Sequence, residues 1–402
     1  MKVRIERGVA NGKVYAPPSK SVSHRLMISA ALANGKSTVR GVSDCEDVKA
    51  TVSCLSAIGA KFEKKESDFT VYGTDVKSAT PSEPLDCNES GSTLRFILPI
   101  ASLSNKPVSF VGSRRLMQRP MSVYENIYSD RGLFYHSDEE KLTVRGALSG
   151  GEYCVPGNVS SQFVSGLIFA LAQAEQESLI KIEPPIESLP YILLTLDAVR
   201  KFGITADFID GNTIKIPPRQ TFSPTDVTVE GDYSGAAFTE AFNLLGGNVS
   251  VLGLNPESLQ GDKIYREHFR MLKDGCPTIN IENCPDSAPI YFALAAALNG
   301  ATFTGTKRLK IKESDRAAAM ASELSKLGVR VDLSENSAVI HPTKLKAPSE
   351  ALLSHNDHRI VMALSVLLTL VGGEIEGAEA VNKSYPDFFS DLARLGIGVF
   401  CE

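Results

Sequence analysis

The sequence predicts an α/β protein of two domains, each made of three copies of one repeating unit. Three observations carry that prediction. The chain has 402 residues, more than one hydrophobic core usually serves, so two domains are expected. Apolar residues at 43% and charged residues at 22% give the balance of an ordinary globular protein. A polar opening followed by an apolar helix, a short turn and a strand recurs six times, and such self-similarity decides architecture.

In chain order the copies are PSKSVSHRLMISAALANGKSTVRG, ESGSTLRFILPIASLSNKPVSFVG, GNVSSQFVSGLIFALAQAEQESLIKI, GDYSGAAFTEAFNLLGGNVSVLG, PDSAPIYFALAAALNGATFTG and NDHRIVMALSVLLTLVGGEIEG. Between them lies a second block, an amphipathic helix closed by glycine and followed by alternating strands. Examples are VSCLSAIGAKFEKKESDFTVYG, LDAVRKFGITADFIDGNTIKI and MASELSKLGVRVDLSENSAVIHP. The glycine suits a left-handed helix end, and strand pairs joined by short polar turns read as hairpins. The unit is therefore helix, strand, helix, strand, strand, with a degraded copy expected near Tyr124 to Gly146. Proline-rich crossings at Ala16-Pro17-Pro18 and from Pro217 to Pro224 divide the copies. One domain is expected to comprise residues 1–18 with 227–402, carrying the N-terminal strand and repeats four to six. The other comprises residues 19–226, with repeats one to three. A site is expected in a hinged cleft between them.

Composition narrows the function. With 47 acids against 42 bases and a net charge of -5, broad binding to nucleic acid or a membrane surface is disfavoured, and any basic site must be local. Seven cysteines without a C-x-x-C pair point to reduced thiols and no zinc site. The strand-like N-terminus MKVRIERG lacks the apolar core of a signal peptide, and the longest apolar runs are too short to span a bilayer, so a cytoplasmic protein is expected.

The helix openings carry the functional signal. Each exposes backbone N–H groups and the positive end of a helix dipole, which bind phosphates and carboxylates. Small residues such as Ser90-Gly91-Ser92-Thr93 and Ser160-Ser161 admit an anion close to the backbone. Serine, asparagine and aspartate at such places are often only caps. Capping does not account for the cations placed beside them: Lys20, Arg25, Arg95, His358 and Arg359, with Arg114, Arg115, Arg119, Lys312, Arg316 and Lys383 elsewhere. So many donors suit a ligand with several phosphates or carboxylates. Asp286 and Glu313 lie among these bases, as counter-ions or, in a dry site, as groups that move protons.

PSKSVSHR, ESGSTLRF, RRLMQRP, SSQF, KIKESDR, NDHR and KSYPDFF, in this order along the chain, closely resemble the 5-enolpyruvylshikimate-3-phosphate synthases. The resemblance implies an inside-out α/β barrel of two domains built from six βαβαββ repeats, three per domain. It implies transfer of the enolpyruvyl group of phosphoenolpyruvate to the 5-hydroxyl of shikimate 3-phosphate by addition and elimination, in chorismate and aromatic amino-acid biosynthesis. No metal or cofactor and no macromolecular partner is implied, and a monomer is expected. Carried over by position, Lys20, Ser21, Arg25, Ser160, Ser161, Gln162, Ser188, Asp286 and Lys312 match the shikimate 3-phosphate subsite. Lys20, Gly91, Arg119, Gln162, Arg316, Arg359 and Lys383 match that of phosphoenolpyruvate. Asp286 matches the general base and Glu313 the proton donor, with Lys20 catalytic beside them. Glu89, His24 and Arg308 depart from asparagines found in other members.

Two related enzymes and one non-enzyme compete. The UDP-N-acetylglucosamine enolpyruvyl transferases typically have Lys-Asn where this chain has Lys20-Ser21, and a loop cysteine missing between Arg114 and Pro120. The RNA 3′-phosphate cyclases are disfavoured by the acidic charge. A receptor that binds without catalysis would have no need of Lys20, Asp286 and Glu313 together.

Overall fold

The computed structural model describes residues 1–78 and 81–402. The chain divides into two compact units, residues 1–17 with 231–402, and residues 18–230. The second crossing thus falls at 230/231 rather than 226/227. The reason is a hydrogen-bonded ladder: strand Asp226–Thr228 pairs in parallel with Lys36–Arg40, keeping that segment with the preceding unit.

In residues 18–230 three four-stranded sheets share one order, in which first and second strands are parallel and the rest antiparallel. Helices Lys20–Leu32, Gly91–Ala101 and Ser161–Leu171 lie before the second strands. They are apolar on nearly every side and are buried, as such a pattern requires. Helix Gly91–Ala101 buries every residue but Ser92, and helix Ser161–Leu171 every residue but Gln162. At Gly166 an added Cβ would lie 2.3 Å from the Arg95 carbonyl oxygen and from the Tyr124 hydroxyl, so only glycine lets these helices approach. Tyr124 fills the junction, donating to the carbonyls of Arg95 at 2.6 Å and Phe163 at 3.2 Å. The copy expected to be degraded is complete: helix Ser122–Asp130 leads to the paired strands Phe134–Ser137 and Lys141–Arg145.

The other unit uses the N-terminus twice. Lys2–Ile5 pairs antiparallel with both Gly373–Glu376 and Val399–Cys401, completing the sixth repeat. Asn11–Tyr15 pairs in parallel with Asn248–Leu252, beginning the fourth. It is this fourth repeat that is shortened. Among the described residues it has no hairpin, because helix Tyr265–Asp274 runs through Gly275-Cys276-Pro277 straight into strand Thr278–Asn280 of the fifth. The side chain of Asn243 stands in for the missing neighbour. Its Nδ2 donates to the Val249 carbonyl at 2.9 Å and its Oδ1 accepts from the Val249 N–H at 2.7 Å.

Each unit has its own apolar core, with Phe96, Ile97 and Phe163 in one and Tyr291, Phe292 and Leu364 in the other. All seven cysteines are free thiols. Among the described residues no helix is long and apolar enough to cross a membrane.

Candidate active site

Five of the six helix openings spend a side chain on capping. Ser19, Ser90, Ser160, Asp232 and Asp357 accept from the backbone N–H of Val22, Thr93, Gln162, Gly235 and Arg359. The fifth opening differs, since the turn Pro285–Ser287 leads into helix Ala288–Ala297 without a side-chain cap. That leaves Asp286 to face cations instead.

In residues 18–230 Lys20, on the first turn of its helix, pairs with Asp47 at 2.8 Å. Asp47 lies in the first turn of helix Glu46–Ala57, where an acid is favoured by the dipole. A chain of hydroxyls steadies this pair: His24 Nδ1 lies 2.7 Å from Thr51, Thr51 lies 2.6 Å from Thr93, and Thr93 donates to the Asp47 carbonyl at 3.2 Å. Burial first, then the charges of Lys20 and Arg25, hold the His24 imidazole far below its usual range, so it is neutral. Arg25 is buried and donates to Thr195 and to the carbonyls of Ser21 and Tyr191. Burial pulls its pKa down to about 10, leaving it charged at neutral pH.

Gln162 is fixed from two sides, accepting from Arg95 Nη1 at 2.8 Å and donating to Ser92 at 2.8 Å. Thus the two helix residues left outside the core meet each other. Gly91 packs against Arg119, whose Nη1 would lie 2.7 Å from an added Cβ. Ser161 and Ser188 are buried, Ser188 in the left-handed region with φ 58° at the start of helix Leu189–Lys201.

The other unit gathers Asp286, Lys312, Glu313, Arg316 and Arg359 into one ionic cluster. Asp286 Oδ1 meets Lys312 at 3.1 Å and Arg316 at 2.7 Å, while Oδ2 meets Arg359 at 3.3 Å. Arg316 also takes Glu313 at 2.8 Å and the fully buried Asp357 at 2.8 Å. Burial alone would lower the Arg316 pKa, but Asp357, Glu313 and Asp286 hold it well above its ordinary value. Its fork is therefore committed to carboxylates, and it orients Asp286 and Glu313. Burial pushes Lys312 down to about 8, despite the opposing pull of Asp286. Arg359 donates to Ser234 at 2.5 Å, and Lys383 to the Asn356 carbonyl at 2.5 Å. Arg308 is buried within the short helix Lys307–Ile311.

Ion pairs thus join Asp286, Lys312, Glu313, Arg316 and Arg359 in one unit, Lys20, Arg25 and Gln162 are held by separate contacts in the other, and Arg114 pairs with Glu139 on the surface. Sequence reasoning missed Asp47 and the central place of Asp357. Both had a signal, one as an acid in a helix's first turn, the other as the cap in NDHR.

The comparisons with known proteins agree along the whole chain. A family model described as EPSP synthase (3-phosphoshikimate 1-carboxyvinyltransferase) matches residues 6–392. A relative from Clostridium kluyveri named 3-phosphoshikimate 1-carboxyvinyltransferase is 37% identical over 416 residues, covering 98% of this chain and 97% of its own. One of the same name from Clostridium beijerinckii is 37% identical, covering 100% and 98%. The solved structure of EPSP synthase from Acinetobacter baumannii has the same fold, with a TM-score of 0.78 at 24% identity and 100% coverage of both chains. With the repeats, the ionic cluster around Arg316, the Lys20–Asp47 pair and these likenesses in hand, the chain belongs to the EPSP synthase family.

Proposed function

We propose that this protein transfers the enolpyruvyl group of phosphoenolpyruvate to the 5-hydroxyl of shikimate 3-phosphate, releasing inorganic phosphate, within chorismate and aromatic amino-acid biosynthesis. The observation that carries this reading is Asp286, a carboxylate touching Lys312, Arg316 and Arg359 in a chain of this family. Its two oxygens, held in place by these cations, are acceptors positioned to take a proton. Both substrates carry a phosphate and a carboxylate, which suits the cations of both units.

In this mechanism Glu313 or Lys20 protonates the vinyl methylene carbon. The neighbouring carbon gains cationic character and the 5-hydroxyl oxygen bonds to it, while its proton passes to Asp286. The group that protonated the methylene then takes a proton back from the new methyl carbon of the tetrahedral adduct, re-forming the double bond as the carbon–oxygen bond to phosphate breaks. Lys20, Arg119 and Arg359 stabilise the departing phosphate. Shikimate 3-phosphate is assigned to Lys20, Ser21, Arg25, Ser160, Ser161, Gln162, Ser188, Asp286 and Lys312. Phosphoenolpyruvate is assigned to Lys20, Gly91, Arg119, Gln162, Arg359 and Lys383, with Arg316 acting there through the carboxylates it holds. A cytoplasmic monomer acting on small molecules, without nucleic acid, membrane or cofactor, completes the reading. A coupled assay for phosphate release tests it. Turnover requiring both substrates is expected, and binding of both without turnover would refute it.

A further inference from the structure

Helix Arg316–Lys326 carries two buried charges seven residues apart, Arg316 at 1% and Glu323 at 0% side-chain exposure. Seven residues are two turns, so both lie on one face about 10 Å apart along the axis. Both grip the segment that precedes helix His358–Val371. Arg316 Nε takes Asp357 Oδ2 at 2.8 Å. Glu323 Oε2 accepts from the Leu353 N–H at 2.9 Å, and Oε1 lies 2.7 Å from His355 Nε2. Lys326 completes the shell of Glu323 at 3.0 Å and reaches Glu350 at 3.3 Å.

Between these anchors the backbone is in an unfavourable conformation. His355 and Asn356 have φ of 49° and 54°, two successive left-handed residues that are not glycine. Such geometry persists only where the surroundings dictate it, and it collects at functional turns. Here its products are the Asn356 carbonyl, which receives Lys383 Nζ at 2.5 Å, and Asp357, which holds Arg316 and caps the helix bearing Arg359.

We infer that Glu323 is a positioning residue for the reaction: by clasping Leu353 and His355 it holds the left-handed turn that sets Lys383 and Arg359, the cations assigned to phosphoenolpyruvate, and Arg316, which orients the carboxylates beside them. The inference rests on the proposed function. Leaving a carboxylate buried is costly unless its partners are in place, so Glu323 and the turn are fixed together.

The test measures kcat and both KM values for the wild type, Glu323→Gln, His355→Ala and the double variant Glu323→Gln with Asn356→Gly. Glu323→Gln is expected to raise the KM for phosphoenolpyruvate about tenfold and to leave that for shikimate 3-phosphate within about twofold. Asn356→Gly, which relieves the left-handed conformation, is expected to recover about half of the loss on a logarithmic scale. A role in stability alone lowers kcat with the fraction of folded enzyme and moves neither KM, and that result overturns the inference. So does an equal rise in both KM values. If Glu323→Gln does not fold, His355→Ala decides, since it keeps the contacts to Lys326 and Leu353. A rise of about threefold in the KM for phosphoenolpyruvate supports the clasp, and no rise overturns it. A wild type without turnover refutes the proposed function and this inference with it, whereas an active wild type with unmoved KM values in the variants refutes the clasp alone.

Discussion

Replacing Lys312 by methionine should make the protein more stable while disabling it. The Lys312 side chain is 19% exposed, and burial pushes its pKa from 10.5 to about 8. That drop corresponds to about 3 kcal/mol. Below pH 8 the folded and unfolded chains both hold the proton, so the folded state bears this whole cost. From pH 8 to 10.5 the folded state releases the proton first, and stability rises with pH as the cost fades. Methionine keeps the stem without the charge, and Asp286 retains Arg316 and Arg359. At pH 7 the variant should therefore be more stable by up to about 3 kcal/mol, and the gap should narrow by pH 9.5. Urea unfolding at both pH values measures it. Alongside, kcat/KM of the wild type should decline above pH 8 as Lys312 loses its charge. A variant no more stable at pH 7, or a gap that does not narrow with pH, would refute the reasoning.

Three further outcomes are expected. Gly91→Ala places a methyl 2.7 Å from Arg119 Nη1 and must displace that guanidinium, raising the KM for phosphoenolpyruvate by roughly 10-fold through a weakened charged hydrogen bond; steady-state kinetics with an unmoved KM would contradict this. Asp286→Ala should lower turnover far more than it weakens phosphoenolpyruvate binding, and equal losses by kinetics and calorimetry would exclude it as the base. Asn243→Ala removes both hydrogen bonds to Val249 and should cost about 1–3 kcal/mol in urea unfolding, with KM values unchanged.

Much of this architecture is legible in the sequence because each repeat writes the same physical pattern. An apolar helix has to be buried, and in two of these helices only the polar residues Ser92 and Gln162, one place inside the opening, stay outside the core. Individual cations and acids were legible too, as Lys20, Asp286 and Arg359 stand at those starts. Pairings across the chain were not. Nothing local to Asp47 announces Lys20, and Glu323 reads as a helix residue until His355 is brought to it. The boundary at 230 was hidden because a strand of three residues carries almost no periodic signal, and its allegiance depends on a ladder to residues 38–40. The shortened fourth repeat was overlooked and the intact second misjudged. Tyr124 to Gly146 is polar on its outer face, which weakens the periodic signal without breaking the fold.

The use of the N-terminus as two strands has a consequence for how the chain matures on the ribosome. Every described strand of the three sheets in residues 18–230 lies within that segment, so none of them waits for a later partner. The first 17 residues cannot settle in the same way, since the partners of Lys2–Ile5 lie at residues 373–376 and 399–401. At about 5–20 residues per second, strand Lys2–Ile5 waits roughly 20–80 s for residues 399–401. Strands Lys2–Ile5 and Val399–Cys401, nearly 400 residues apart, are thus neighbours in one sheet, and the unit they close is completed only after residue 401 has been made.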